Sequence, residues 1–204
     1  MEIIRSSIGK NSNSPYIIFE RWTNYPNAPT DFEGDTGTCI VYMPFDLKSK
    51  NVVATGNDTL RVGAYKDDDT PLYSISDLVK AGDIVIIGSR HNKQYTVDSV
   101  NDTTFEITMT ADIDESYFPG EMVKVVWYQG SITSSDIVLG KNGTVKNRIQ
   151  HRMAQTETLR VYPKHRVIFK LKNAGDTVFT QYPDASYTQY HLSVYDDGEG
   201  ALLS

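Results

Sequence analysis

The residues able to do chemistry are few and scattered. Cys39 is the only cysteine, and the four histidines, His91, His151, His165 and His191, stand far apart. A zinc site draws on paired Cys or His ligands at short spacings, and none of these residues forms such a pair. A nucleophilic hydrolase needs Ser or Cys beside a positioned His, often on a Gly-x-Ser-x-Gly turn, which this sequence lacks. Cys39 lies in the run Thr38-Cys-Ile-Val-Tyr-Met43 and reads as a small buried hydrophobe. Each histidine reads as a surface or hydrogen-bonded residue. Asp31-x-Glu33-x-Asp35 and Asp67-Asp68-Asp69 bring carboxylates together as calcium loops do. Thr36 and Tyr42 stand where an EF-hand requires Gly and Glu, so solvated acidic loops are expected. Gly140-Lys141 lacks the upstream glycine of a phosphate-binding loop. No catalytic residue, metal ligand or cofactor is expected.

Charge is the stronger signal. Residues 58–128 carry thirteen acids against six bases, and residues 173–204 carry five acids and no Lys or Arg. Between them, residues 141–172 carry nine bases against the single acid Glu157. The nine are Lys141, Lys146, Arg148, Arg152, Arg160, Lys164, Arg166, Lys170 and Lys172. Arg160, Lys164, Arg166, Lys170 and Lys172 share one parity, and Val161, Val167, Phe169 and Leu171 share the other. Strands interrupted near Pro163 would give this segment one cationic face and one buried face. Three roles fit such a face. Lys and Arg can protect an edge strand from wrong pairing, form an electrostatic seam with an acidic neighbour, or meet the phosphates of packaged or passing DNA.

The elements that must position these residues are strands. Apolar and polar residues alternate with period two, and turn residues separate the runs. In 104–110, Phe105, Ile107 and Met109 alternate with threonines and Glu106, after an Asn101-Asp102 turn and a preceding strand through Tyr95, Val97 and Ser99. Residues 84–87 are apolar on both faces, as in a central strand, between Gly82-Asp83 and Gly88-Ser89. With Val123, Val125 and Trp127 these predict a small β-barrel-like module over 58–128. Further strands are predicted at 16–22, 38–43, 137–139, 158–162, 166–171 and 192–195, so residues 1–57 plus 129–204 form an outer β domain. Helix is scarce: one turn is predicted at 76–80, and Val145, Ile149 and Met153 at spacing four fit a second helical face. The expectation is an all-β chain, an antiparallel sandwich or barrel with an inserted small barrel. No run approaches the roughly 20 apolar residues of a membrane span, and a lone cysteine gains nothing from an oxidising compartment. A soluble protein without membrane contact is expected.

The stretch Ser76-Asp-Leu-Val-Lys-Ala-Gly-Asp83-Ile-Val-Ile-Ile-Gly88, followed by Gln94-Tyr-Thr-Val-Asp-Ser-Val100-Asn-Asp-Thr-Thr-Phe-Glu-Ile-Thr108, resembles a module of tailed-bacteriophage structural proteins. That module runs from a helix-like approach through a Gly-Asp step into an apolar strand, then a Tyr-Thr-Val strand and a Thr-rich strand. The resemblance implies a non-enzymatic virion protein of the neck or tail connector, assembled in the host cytoplasm. Its partners would be copies of itself in a ring and other virion proteins. A capsid auxiliary or decoration protein is the alternative within that class. Outside it, Tyr182, Tyr187 and Tyr190 raise a carbohydrate- or receptor-binding β module.

Overall fold

The computed structural model describes residues 6–9, 16–21, 31–43, 46–51, 55–63, 74–88, 93–140, 143–153, 162–182 and 190–195. In chain order the strands begin with β1 (Ser6–Gly9), β2 (Tyr16–Glu20), β3 (Thr36–Tyr42), β4 (Leu47–Ser49) and β5 (Thr59–Gly63). A helical turn, α1 (Ile75–Leu78), precedes β6 (Ile84–Ile87), β7 (Lys93–Asn101), β8 (Glu106–Met109) and β9 (Met122–Ile132). A 3-10 turn at Ser134–Asp136 leads to β10 (Ile137–Val138), β11 (Arg148–Arg152), β12 (Tyr162–Lys172), β13 (Thr180–Tyr182) and β14 (Tyr190–Tyr195). The fold is all-β with little helix. The chain divides into two compact units, Phe45–Trp127 and a second made of Met1–Pro44 with Tyr128–Ser204.

Phe45–Trp127 is a closed barrel. β4 pairs β5, β5 pairs β8, β8 pairs β7, β7 pairs β6, β6 pairs β9, and β9 returns to β4, every pair antiparallel. Closure removes the unpaired edges that an open sheet of short strands would expose. Period-two alternation fills the interior: Leu47, Leu60, Val62, Val85, Tyr95, Val97, Ile107, Met109, Val123 and Val125 are all buried. β6 pairs on both sides and buries three of its four residues, as an apolar run should. Gly82 (φ 87°) and Gly88 (φ 77°) bound it in the left-handed region that glycine enters without strain. The ring also takes in Leu47–Ser49, upstream of the 58–128 boundary drawn from sequence, because β4 bridges β5 and β9.

Two local features depart from simple alternation. The β7–β8 register shifts between Val97 and Ser99, so Ser99 is exposed rather than continuing the Tyr95–Val97 face. Phe105 adopts φ 56° in the turn, and the following strand therefore begins at Glu106. The Asn101 side chain builds that turn by accepting bonds from the Thr103 and Thr104 amides at 2.9 and 3.2 Å. Asp102 reaches α1, accepting from the Ser76 amide at 2.9 Å and the Ser76 hydroxyl at 2.5 Å. The indole of Trp127 donates to the Leu78 carbonyl at 2.8 Å, which ties the same turn to β9.

The second unit contains two sheets. One has the order β10-β11-β2. In the other, β12 lies between β3 on one side and β14 and β13, end to end, on the other, and β1 adds in parallel to β14. Aromatic rings join the two: Phe19 of β2 lies 5.5 Å from Phe169 of β12 and 6.4 Å from Tyr182 of β13, and Phe32 lies 5.2 Å from Tyr182. This is sandwich packing of alternating inward side chains.

The structure corrects three sequence expectations here. Residues 148–152 form β11 rather than a helical face, because Ile149 and His151 alternate inward and pair with Phe19 and Ile17 of β2. β12 is a central strand, not an edge, so its lysines and arginine are not there to shield an unpaired ladder. β12 runs through Pro163 without a break, since the register to β14 shifts between Tyr162 and His165 and the missing amide falls in that irregularity. Gly37 is required where β3 meets β12, because a Cβ there would sit 1.8 Å from the Lys170 carbonyl oxygen.

Candidate functional site

The nine basic residues do not share one surface. Lys141 and Arg160 lie outside the described residues, and Lys164 falls within β12. Arg148 and Arg152 belong to β11 in the three-stranded sheet, whereas Arg166, Lys170 and Lys172 belong to β12 in the other sheet. Lys146 is occupied by an exposed ion pair with Glu33 at 2.7 Å. Arg148 is half-buried opposite Glu20, and its Nε has no hydrogen-bond partner. Arg166 donates from Nε to the Met43 carbonyl at 3.2 Å and lies 5.8 Å from the centre of the Tyr42 ring.

β12 alternates as its parity requires. His165, Val167, Phe169 and Leu171 are buried, and Arg166, Ile168, Lys170 and Lys172 are half-buried on the other face. Cross-strand pairs share a face, so Lys170 stands with Thr38 of β3 and Gln181 of β13, and Lys172 with Thr36. Thr36 and Gln181 are exposed, which leaves this end of the face open. Lys172 also lies 5.0 Å from the centre of the Phe179 ring. Among the described residues, neither Lys170 nor Lys172 has a carboxylate partner.

The nearby acidic loop is already engaged. Asp31 accepts the Glu33 amide at 2.9 Å, Glu33 holds Lys146, and Asp35 meets the Asn173 side chain at 3.4 Å. Burial pushes the Asp35 carboxyl above its ordinary range; Asn173 opposes the shift, while Asp176 and Asp31 add to it. Among the described residues no three His, Cys, Asp or Glu side chains converge as metal ligands. Asp67-Asp68-Asp69 and His91 lie outside the described residues. Cys39 is fully buried opposite Phe169, and burial first, then the Asp136 charge, drives its thiol far above the ordinary range.

Sequence reasoning missed one chain of polar groups. Tyr128 of β9 meets His151 Nε2 at 2.8 Å, and His151 Nδ1 meets Asp136 at 3.1 Å. Asp136 also accepts the Thr133 amide and hydroxyl, each at 2.8 Å. Burial raises the Asp136 carboxyl, but the bonds from Thr133 and His151 outweigh it and hold the group below its ordinary range. With Nδ1 protonated, His151 donates to Asp136 and accepts the tyrosine hydroxyl, so both ring nitrogens are spent inside the fold. Gly130 makes room, since a Cβ there would meet His151 and Tyr128 atoms at 2.5 Å. The chain pins the 3-10 turn, β11 and β9 together. Its signal in sequence was the inward parity of His151 with Ile149, which the helical reading of 145–153 concealed.

The barrel has its own polar group at one rim. Lys93 contacts Asp114 at 2.7 Å and Glu115 at 3.0 Å, and the buried Tyr95 donates to Asp114 at 2.7 Å and meets Tyr117 at 3.1 Å. The two carboxylates share the single Lys93 within the barrel. Of the tyrosines that raised carbohydrate binding, Tyr182 is packed against Phe19, Phe32 and Arg21. Tyr187 lies outside the described residues, and Tyr190 opens β14. No family model, curated protein or solved structure matches the chain.

Proposed function

We propose that the chain is a non-enzymatic structural subunit of a tailed-phage virion, forming or joining rings in the neck or tail-connector region. The observation that carries the reading is the pair Lys170 and Lys172, two cations on the open end of a central strand with no carboxylate partner among the described residues. Side chains held on a rigid sheet lose less freedom on contact than side chains on a loose loop, so such a face suits a repeated subunit seam. The likeness of residues 76–108 to a virion module supplies the class of assembly, and those residues lie in the closed barrel. Virion location and ring formation are tested together. Negative-stain images of the purified chain are expected to contain closed rings, and immunogold labelling of virions is expected at the neck or tail. A chain that remains monomeric at every concentration would overturn the ring. Gold spread over the head would assign it instead as a decoration protein.

A further inference from the structure

We propose that the open end of the β12 face binds the acidic barrel of a second copy of this chain, so that copies associate head to tail. The inference rests on the assembly reading above and names the partner of its interface. Lys170 and Lys172 are two residues apart on one strand, which spaces their Cα atoms by about 7 Å. Their cross-strand neighbours are Thr36, Thr38 and Gln181, so the surface around them offers hydroxyls and an amide, beside the exposed Phe179 ring 5.0 Å from Lys172. Such a surface can receive carboxylates displayed by a second copy.

The chain carries the complementary surface. Phe45–Trp127 holds fourteen acids and eight bases, so the whole net charge of −6 resides there, while the rest carries twelve of each. On the barrel's exterior, Asp77 of α1 and Asp98 at the β7 bulge are exposed and have no cation partner among the described residues. They differ from Asp102 and Asp114, which are already held by Ser76 and Lys93. Unmatched acids on one unit and unmatched lysines on the other give electrostatic complementarity between copies.

A nucleic acid fits this surface less well. Two lysines without a carboxylate partner among the described residues limit the loss of affinity with salt to a log–log slope of about 2. The contact between copies is heterologous, since one copy offers β12 and the next offers the barrel. Each added copy therefore leaves one surface of each kind free, which produces either a closed ring or a filament.

Charge exchange between two full-length variants tests this. K170E/K172E and D77K/D98K are purified separately and examined by sedimentation velocity beside the wild type. Each alone is expected to weaken self-association by about tenfold or more. Mixed in equal amounts they should associate again, because the acidic β12 face of one then meets the basic barrel of the other. Recovery on mixing also demonstrates that both variants fold. Wild-type association that neither variant alters would overturn this inference while leaving the ring reading intact through another contact, whereas a monomeric wild type would defeat the ring reading itself. Retention of a duplex oligonucleotide by the wild type, lost in K170E/K172E and not restored by mixing, would assign the face to phosphate and also overturn the inference.

Discussion

The barrel and the sandwich solve the same problem differently. Both consist of short strands whose backbone groups and charged side chains need partners. The barrel closes its ladder internally through β4, ties Lys93 to Asp114 and Glu115 and holds α1 with Asp102, and keeps a surplus of acids, Asp77 and Asp98 having no cation partner among the described residues. The sandwich buries Phe19, Phe32 and Phe169 and spends His151 on Asp136 and Tyr128, but leaves Lys170 and Lys172 without carboxylates among the described residues. The difference teaches that a unit whose ladder is closed can serve as a displayed body, offering its surplus carboxylates Asp77 and Asp98 to the unmatched lysines of a neighbour's sandwich.

Deleting β4 is the most severe way to break the comparison. A fragment of residues 45–127 is expected to fold alone, with dispersed amide resonances, because its ring is complete. A fragment of 58–128 is expected to show collapsed dispersion, since β5 and β9 lose the strand that pairs with both. Equal dispersion from the two would mean that closure does not hold the barrel together. In the sandwich, Phe169→Ala removes the ring 5.5 Å from Phe19 and should cost about 3–5 kcal/mol in denaturant unfolding. The barrel's transition should stay in place, giving two steps where the wild type has closer ones.

Smaller effects sharpen the contrast. Asp102→Ala removes the acceptor for two bonds from Ser76 at the start of α1 and should cost about 0.5–2 kcal/mol by thermal unfolding. The same carboxyl is held below its ordinary value of 3.8, chiefly by the Ser76 hydroxyl, and Asp114 is held low chiefly by Lys93. A folded pKa below the unfolded one stabilises the fold above the unfolded value, and that stability is lost as pH falls through the folded value. Lys93→Met should therefore flatten the barrel's acid limb below about pH 4 and leave the sandwich's, set by Asp136, unchanged. Glu33→Gln, which breaks the exposed pair with Lys146, should change stability by about 0–1 kcal/mol.

Much of the fold was legible because period-two alternation is a direct consequence of strand geometry. Residues 84–87 announced a central strand through unbroken apolar character, and the parity of Val167, Phe169 and Leu171 announced the buried face of β12. Three features were not legible for physical reasons. β4 is three residues long, too short to show a period. Spacing four in Val145, Ile149 and Met153 fits a helix, and only pairing with β2 selects the strand. A central strand and a protected edge carry the same lysines, and neighbours alone distinguish them. Of the candidate site, the cationic segment was visible as a run of charge. Which lysines remain without partners depends on Glu33, Met43 and Tyr42, which meet Lys146 and Arg166 only in space.

The most direct test is sedimentation velocity of the intact wild-type chain at about 0.1 M and about 1 M NaCl, between which the Debye length falls from about 10 to about 3 Å. Assembly through the open cationic face predicts a species larger than the monomer at low salt that dissociates at high salt. A single monomeric species at both, or an oligomer indifferent to salt, would contradict it.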